Sequence, residues 1–273
     1  LNDPSGTGGG YNFANLLAGD IARVEVLRGA QSTLWGSQAI GGVVNVSTAQ
    51  PTEAFEGSAS VEGGSLNTGY ARAALGGKTE RVIWRLAGGY YTTDGVSAYR
   101  LGSERDGYHN TSLSGTAKVT LTDSISLDLR AAYSRGRNRF DGFPAPLFSF
   151  ADDPEYGRTE EFVGYAGLNF DLLDGRLKNR VAYGYTNTDR DNFNPVQAVT
   201  PVTFDASGRN KRWEYQGTLV LPRDWQAVFG LESERSFMRS ASPSAFTPHP
   251  IPATAKVGLD SVYVQAIGQV VPD

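Results

Sequence analysis

The stretch Ile21-Ala-Arg-Val-Glu-Val-Leu-Arg-Gly-Ala-Gln-Ser-Thr-Leu-Trp-Gly-Ser-Gln-Ala-Ile-Gly-Gly-Val-Val-Asn-Val-Ser47 decides the reading of this chain. Ile21, Val24, Val26 and Leu27 make an apolar, partly β-branched run that suits a half-buried strand. Gly29 can take backbone angles closed to residues with a side chain, and a short helix is expected after it. Gly41-Gly42 lets two lengths of backbone approach closely before Val43-Val44-Asn45-Val46 resumes an extended run. Upstream, Leu1 to Tyr11 is a glycine-rich loop, and Phe13, Leu16 and Leu17 could share one face of a short helix before Asp20. Downstream of Pro51 the chain changes character, into long alternating strands joined by tight turns at one end and long loops at the other. A small mixed domain running straight into a series of hairpins is the layout of a plugged barrel.

The alternation is regular. Leu113, Ala117, Val119 and Leu121 share one face, and Ser112, Ser114, Thr116, Lys118 and Thr120 the other. Ile125, Leu127, Leu129, Ala131 and Tyr133 repeat the apolar face after the two-residue turn Asp123-Ser124, which predicts a hairpin. Similar pairs flank Leu173-Asp-Gly-Arg176 and Pro222-Arg-Asp224. A further turn is expected at Gly76-Gly-Lys-Thr79 and a short outer one at Ser65-Leu-Asn-Thr68. About ten strands are expected, the last near Val257 to Val270. Long loops are expected over Gly95–Asn110, Asn138–Arg158, Asp191–Arg209 and Ser240–Lys256. Short turns on one rim and long loops on the other is the asymmetry of outer-membrane barrels. Tyr90, Tyr133, Tyr183, Tyr185 and Trp213 sit on the apolar face near the long loops, and Trp225 beside a short turn, as two interfacial girdles would require. Reflection about the turns places Lys118 opposite Asp128 and Asp171 opposite Lys178, pairs worth roughly 0.2–1 kcal/mol each.

Composition narrows the function. With no cysteine among 273 residues, disulfides and thiolate metal sites are excluded. A net charge of −4 without an evident basic cluster argues against nucleic acid. Mean hydropathy is −0.33, and no apolar run is long enough for a spanning helix. A barrel strand spends only alternate residues on lipid, so such an average is compatible with one. Catalysis has little support. His109 and His249 both fall in expected outer loops, and Ser37 does not complete a Gly-x-Ser-x-Gly elbow.

The block from Ile21-x-Arg23 through Glu25-Val26-Leu27-Arg28-Gly29 and Trp35-Gly36 to Gly41-Gly42-Val43-Val44-Asn45 resembles the end of the plug domain of TonB-dependent outer-membrane receptors. Ala30 stands where the family usually has proline, and Ser47-Thr48-Ala49-Gln50 lacks the basic residue that often closes the plug. The resemblance implies an all-β antiparallel membrane barrel, here about ten strands of a larger one, with a small α+β plug remnant. Residues 1–51 would be the C-terminal part of the plug and 52–273 the N-terminal part of the barrel, a piece of a longer receptor. It implies uptake of a scarce solute such as cobalamin or a ferric siderophore across the bacterial outer membrane. The TonB protein would supply energy by pulling a segment outside this stretch. By resemblance, Arg28, with Arg23, would hold the plug to carboxylates of the barrel wall, and Asn2 and Asp3 would touch ligand at the plug apex. No cofactor is expected, although Asp152, Asp153 and Glu155 could offer calcium loop carboxylates. A passive porin or adhesin barrel lacks the plug block. A soluble carbohydrate-binding β-protein would pack its apolar face inward against a second sheet.

Overall fold

A computed structural model describes residues 3–6, 10–16, 21–30, 41–144, 146–197, 199–222 and 225–268. A 3-10 turn, Phe13–Asn15, precedes β1 (Ile21–Arg28) and β2 (Gly42–Thr48), which pair antiparallel as a sheet of their own. The helix expected between them, and Leu17 of the earlier one, lie outside the described residues. Gly42 shows why glycine is needed at this junction. Its φ is +149°, and a Cβ there would sit 2.5 Å from the Leu27 carbonyl oxygen. Val24 and Val26 are exposed, so the half-buried face expected of β1 is not seen.

Ten strands follow: β3 (Glu56–Gly64), β4 (Thr68–Lys78), β5 (Val82–Thr93), β6 (Tyr108–Thr122), β7 (Ile125–Gly142), β8 (Ala151–Leu172), β9 (Leu177–Phe193), β10 (Val202–Val220), β11 (Gln226–Ala241) and β12 (Ala253–Ile267). Each pairs antiparallel with its neighbours in sequence, giving one meandering sheet with β3 and β12 at its edges. Two of the tight turns are set by left-handed residues. Leu66 and Asn67 have φ of 59° and 52°, and the Thr68 amide donates to the Ser65 carbonyl at 3.1 Å. Asp174 and Gly175 repeat the sign pattern at the next such turn, the preference of Asp-Gly in a type I′ hairpin.

The expected register holds: Lys118 stands opposite Asp128 and Asp171 opposite Lys178. The ion pair that register suggested at Asp128 is taken instead by Arg130, two residues along the same strand face, at 2.5 Å. Two boundary expectations are corrected. Gly76 to Lys78 belong to β4, with the turn at 79–81. The outer loops are shorter than composition suggested, spanning 94–107, 143–150, 194–201 and 242–252. Above the belt neither face of the wall need be apolar, so paired strand there carries no alternation to read.

Among the described residues, nothing packs on the apolar face. Among the described residues only Ala74, Ala182 and Ala206 are buried apolar side chains, whereas Leu86, Leu113, Leu129, Leu168, Phe162, Trp213 and Leu231 stand exposed. A water-soluble protein does not leave so continuous a greasy surface uncovered. On β7 the belt runs from Ile125 to Tyr133, about 27 Å along the strand. With the tilt of barrel strands that nearly matches an outward apolar band of about 25 Å.

Candidate functional site

The opposite face carries the site. Ser112, Ser134, Glu161, Thr188 and Gly208 are successive partners across β6 to β10 and mark one row on that polar face. The N-terminal residues are seated along this row. Asp3 is 3% exposed. Its carboxylate pairs with Arg190 of β9 and accepts the Ser5 amide at 2.9 Å and the Ser5 hydroxyl at 2.6 Å. Burial and the Glu161 carboxylate, to which its hydroxyl bonds, push the Tyr11 phenol well above its ordinary value, so it stays a neutral donor. Asn15, buried at the end of the 3-10 turn, accepts the Tyr108 hydroxyl at 2.9 Å through its side chain, and its carbonyl accepts the Asn110 amide at 3.1 Å. Asn110 is fully buried. Glycine makes the close approach possible. A Cβ on Gly208 would lie 2.1 Å from the Pro4 carbonyl carbon.

Above this row the loops are tied together by carboxylates. Asp141 accepts the Tyr99 amide at 2.6 Å and the Asp153 amide at 3.3 Å, joining the loop at 94–107 to the tips of β7 and β8. Asp152 accepts the Ser103 amide at 3.0 Å and Asp106 the Ala98 amide at 2.7 Å. Glu104, Asp141 and Asp152 each bring one oxygen within 4.8 Å of the others. Burial first, and then the neighbouring acids, push Glu104 upward; burial also raises Asp106. The mouth is therefore rich in carboxylates, oxygen donors of the kind a hard divalent cation takes.

Of the residues singled out in sequence, Asn2 lies outside the described residues. Asp3 is held against the barrel wall by Arg190. Arg23 pairs with Glu25 of its own strand, and Arg28 is exposed with no ion pair among the described residues. Asp152 joins Glu104 and Asp141, while Asp153 and Glu155 share the Asn194 amide at 2.9 and 3.1 Å. Sequence reading missed Arg190, Tyr108, Asn110, Glu161, Glu104 and Asp141. Asn110 and Tyr108 continue the even-numbered polar face of β6, so that alternation, followed two steps further, would have found them. The meeting of Glu104 with Asp141 joins a loop to the tip of β7 and leaves no local signal.

The comparisons agree with this geometry. The family model of the TonB-dependent receptor plug domain matches residues 1–43. The vitamin B12 transporter BtuB of Photobacterium profundum is 26% identical over 221 residues, covering 78% of this chain and 34% of that protein. The ferric enterobactin receptor PirA of Pseudomonas aeruginosa is 33% identical over 140 residues, covering 45% of this chain and 19% of its own length. The chain thus spans about a third or less of these curated relatives. Among solved structures, the ferric enterobactin receptor PfeA of Pseudomonas aeruginosa superposes with a TM-score of 0.73 at 18% identity, over 96% of this chain and 44% of that one, a likeness of fold. The relatives are transporters and receptors rather than enzymes. With a plug-domain match at its N-terminus, an apolar belt outside and a polar face on which that N-terminus is seated, the chain is similar to the TonB-dependent receptors of the bacterial outer membrane.

Proposed function

We propose that this chain forms the gate and part of the wall of a receptor that takes up cobalamin, with energy supplied by TonB. The observation that supports gating is the seating of Asp3, Tyr11 and Asn15 on the polar face through Arg190, Glu161 and Asn110. A segment held by a few polar contacts blocks passive flow and can still be displaced by pulling. The domain reading, plug over 1–51 and barrel over 52–273, belongs to this proposal. So do the ligand contact of Asn2 and Asp3 and the wall contact of Arg28. Cobalamin is favoured because the transporter matching 78% of the chain is a vitamin B12 transporter. The mouth points the same way. Glu104, Asp106, Asp141 and Asp152 would repel a strongly anionic ferric chelate. A ferric siderophore is the second reading, supported by the 33% identity to a ferric enterobactin receptor over a shorter stretch. Equilibrium binding of cobalamin and of ferric enterobactin to the complete receptor separates the two. Tight binding of cobalamin alone is expected, together with uptake that stops in cells lacking TonB. Binding of the ferric chelate alone would reverse the assignment.

A further inference from the structure

One cavity is bordered by Tyr108, whose hydroxyl holds Asn15, and by the side chains that alternate with it on the outward face. It measures about 370 Å³ and is lined by Arg105, His109, Arg137 and Arg139 together with Asp94. Arg137 and Arg139 continue the odd-numbered row that starts with Ile125 and passes Tyr133, so they point the same way as the apolar belt. Gly136, between Arg135 and Arg137, faces Asn15 on the other side of the wall. His109 is the direct cross-strand partner of Arg137.

Nearby acids are already engaged. Asp94 is bound by Arg105 at 2.6 Å and Glu160 by Arg135 at 2.9 Å. Arg137 and Arg139 have no ion pair among the described residues. The Arg137 guanidinium lies 3.9 Å over the Tyr156 ring, which stacks on Phe193 at 5.0 Å, and its Nε is buried without a hydrogen-bond partner. Stacking fixes the plane of the guanidinium and leaves its in-plane donors open, and such a fork matches a phosphate. Arg137 is four residues beyond Tyr133, about 14 Å along a tilted strand, which sets it at headgroup height above the belt. Below it, on the same outward face, is a shallow apolar hollow of about 460 Å³. Gly115, Ala131 and Gly164 form its floor as cross-strand partners, flanked by Leu86, Leu129 and Phe162. The two depressions stand about 20 Å apart along β7, the reach of a headgroup and its acyl chain.

We infer that Arg137 and Arg139 bind the phosphate of an anionic lipid of the outer leaflet, one of whose acyl chains lies in the hollow over Gly115 and Gly164. The test uses the full receptor in detergent, with bisphosphorylated lipid A, dephosphorylated lipid A and inorganic phosphate as separate probes. Binding is read by native mass spectrometry and titration. Bisphosphorylated lipid A should bind at least about ten-fold tighter than the dephosphorylated form, since two charge-assisted contacts are at stake. Inorganic phosphate alone should not compete. R137Q/R139Q should abolish the preference, while R209Q/K211Q, which removes equal charge from the outward side of β10, should keep it. Equal binding of the two lipids by the unaltered receptor would overturn the inference and leave adhesion to the belt alone. Competition by inorganic phosphate would also overturn it, leaving a simple anion site. The comparison of the two lipids needs no variant, so a folding failure of R137Q/R139Q does not blunt the test.

Discussion

At the scale of single residues, the seat of the N-terminal segment depends on where side chains are absent as much as on where they bond. Gly208 is pressed against the backbone of Pro4 and Ser5, and backbone cannot rotate aside as a flexible side chain can. Gly208→Val should therefore lift residues 3–6 from the wall and break the Asp3–Arg190 pair. Overpacking of this kind costs about 1–3 kcal/mol, enough to shift the seating equilibrium by roughly 5- to 150-fold. Limited proteolysis should cut the N-terminal segment faster in the variant, while the barrel keeps its resistance to detergent denaturation. Unchanged cleavage would show that the contact does not hold the segment. Little of this was legible beforehand. Asp3 was singled out as a ligand contact, but nothing in its neighbourhood pointed to Arg190, which lies 187 positions away in the chain. Arg135, Arg137 and Arg139 stood in plain alternation, yet a search for basic runs of consecutive residues passes over charges that meet only when a strand sorts them to one side.

At the scale of elements, the belt was the most legible part of the chain because period-two burial writes itself directly into the sequence. Leu113, Leu129, Leu168 and Leu231 sit where alternation put them, and the turns at Asp123-Ser124 and Asp174-Gly175 fixed the register. The same logic explains the overestimated loops. β8 runs for 22 residues, far more than a bilayer needs, and its upper part carries Asp153, Glu155, Arg158 and Glu160. Pairing there is held by backbone hydrogen bonds and by contacts such as Arg135–Glu160, which composition reads as loop. The belt makes a sharp prediction. Leu129→Arg places a charge among acyl chains and should cost about 2–4 kcal/mol, whereas Ser126→Arg on the polar face should cost little. Chemical denaturation of the complete receptor refolded into lipid would show the difference, and equal losses would mean the two faces are wrongly assigned.

At the scale of the whole molecule, the ten-stranded sheet has two open rims, β3 and β12, each with a row of backbone groups that face no strand among the described residues. Unpaired edges recruit one another. The 273 residues expressed alone should therefore elute from detergent as broad oligomers, and a sharp monomer with a single cooperative melt would contradict this reading. Because the wall stays knitted so far above the apolar belt, the connections at 143–150 and 194–201 stand on a stiff pedestal. Substitutions at those tips therefore leave the row from Ser112 to Gly208, far below them in the wall, in register.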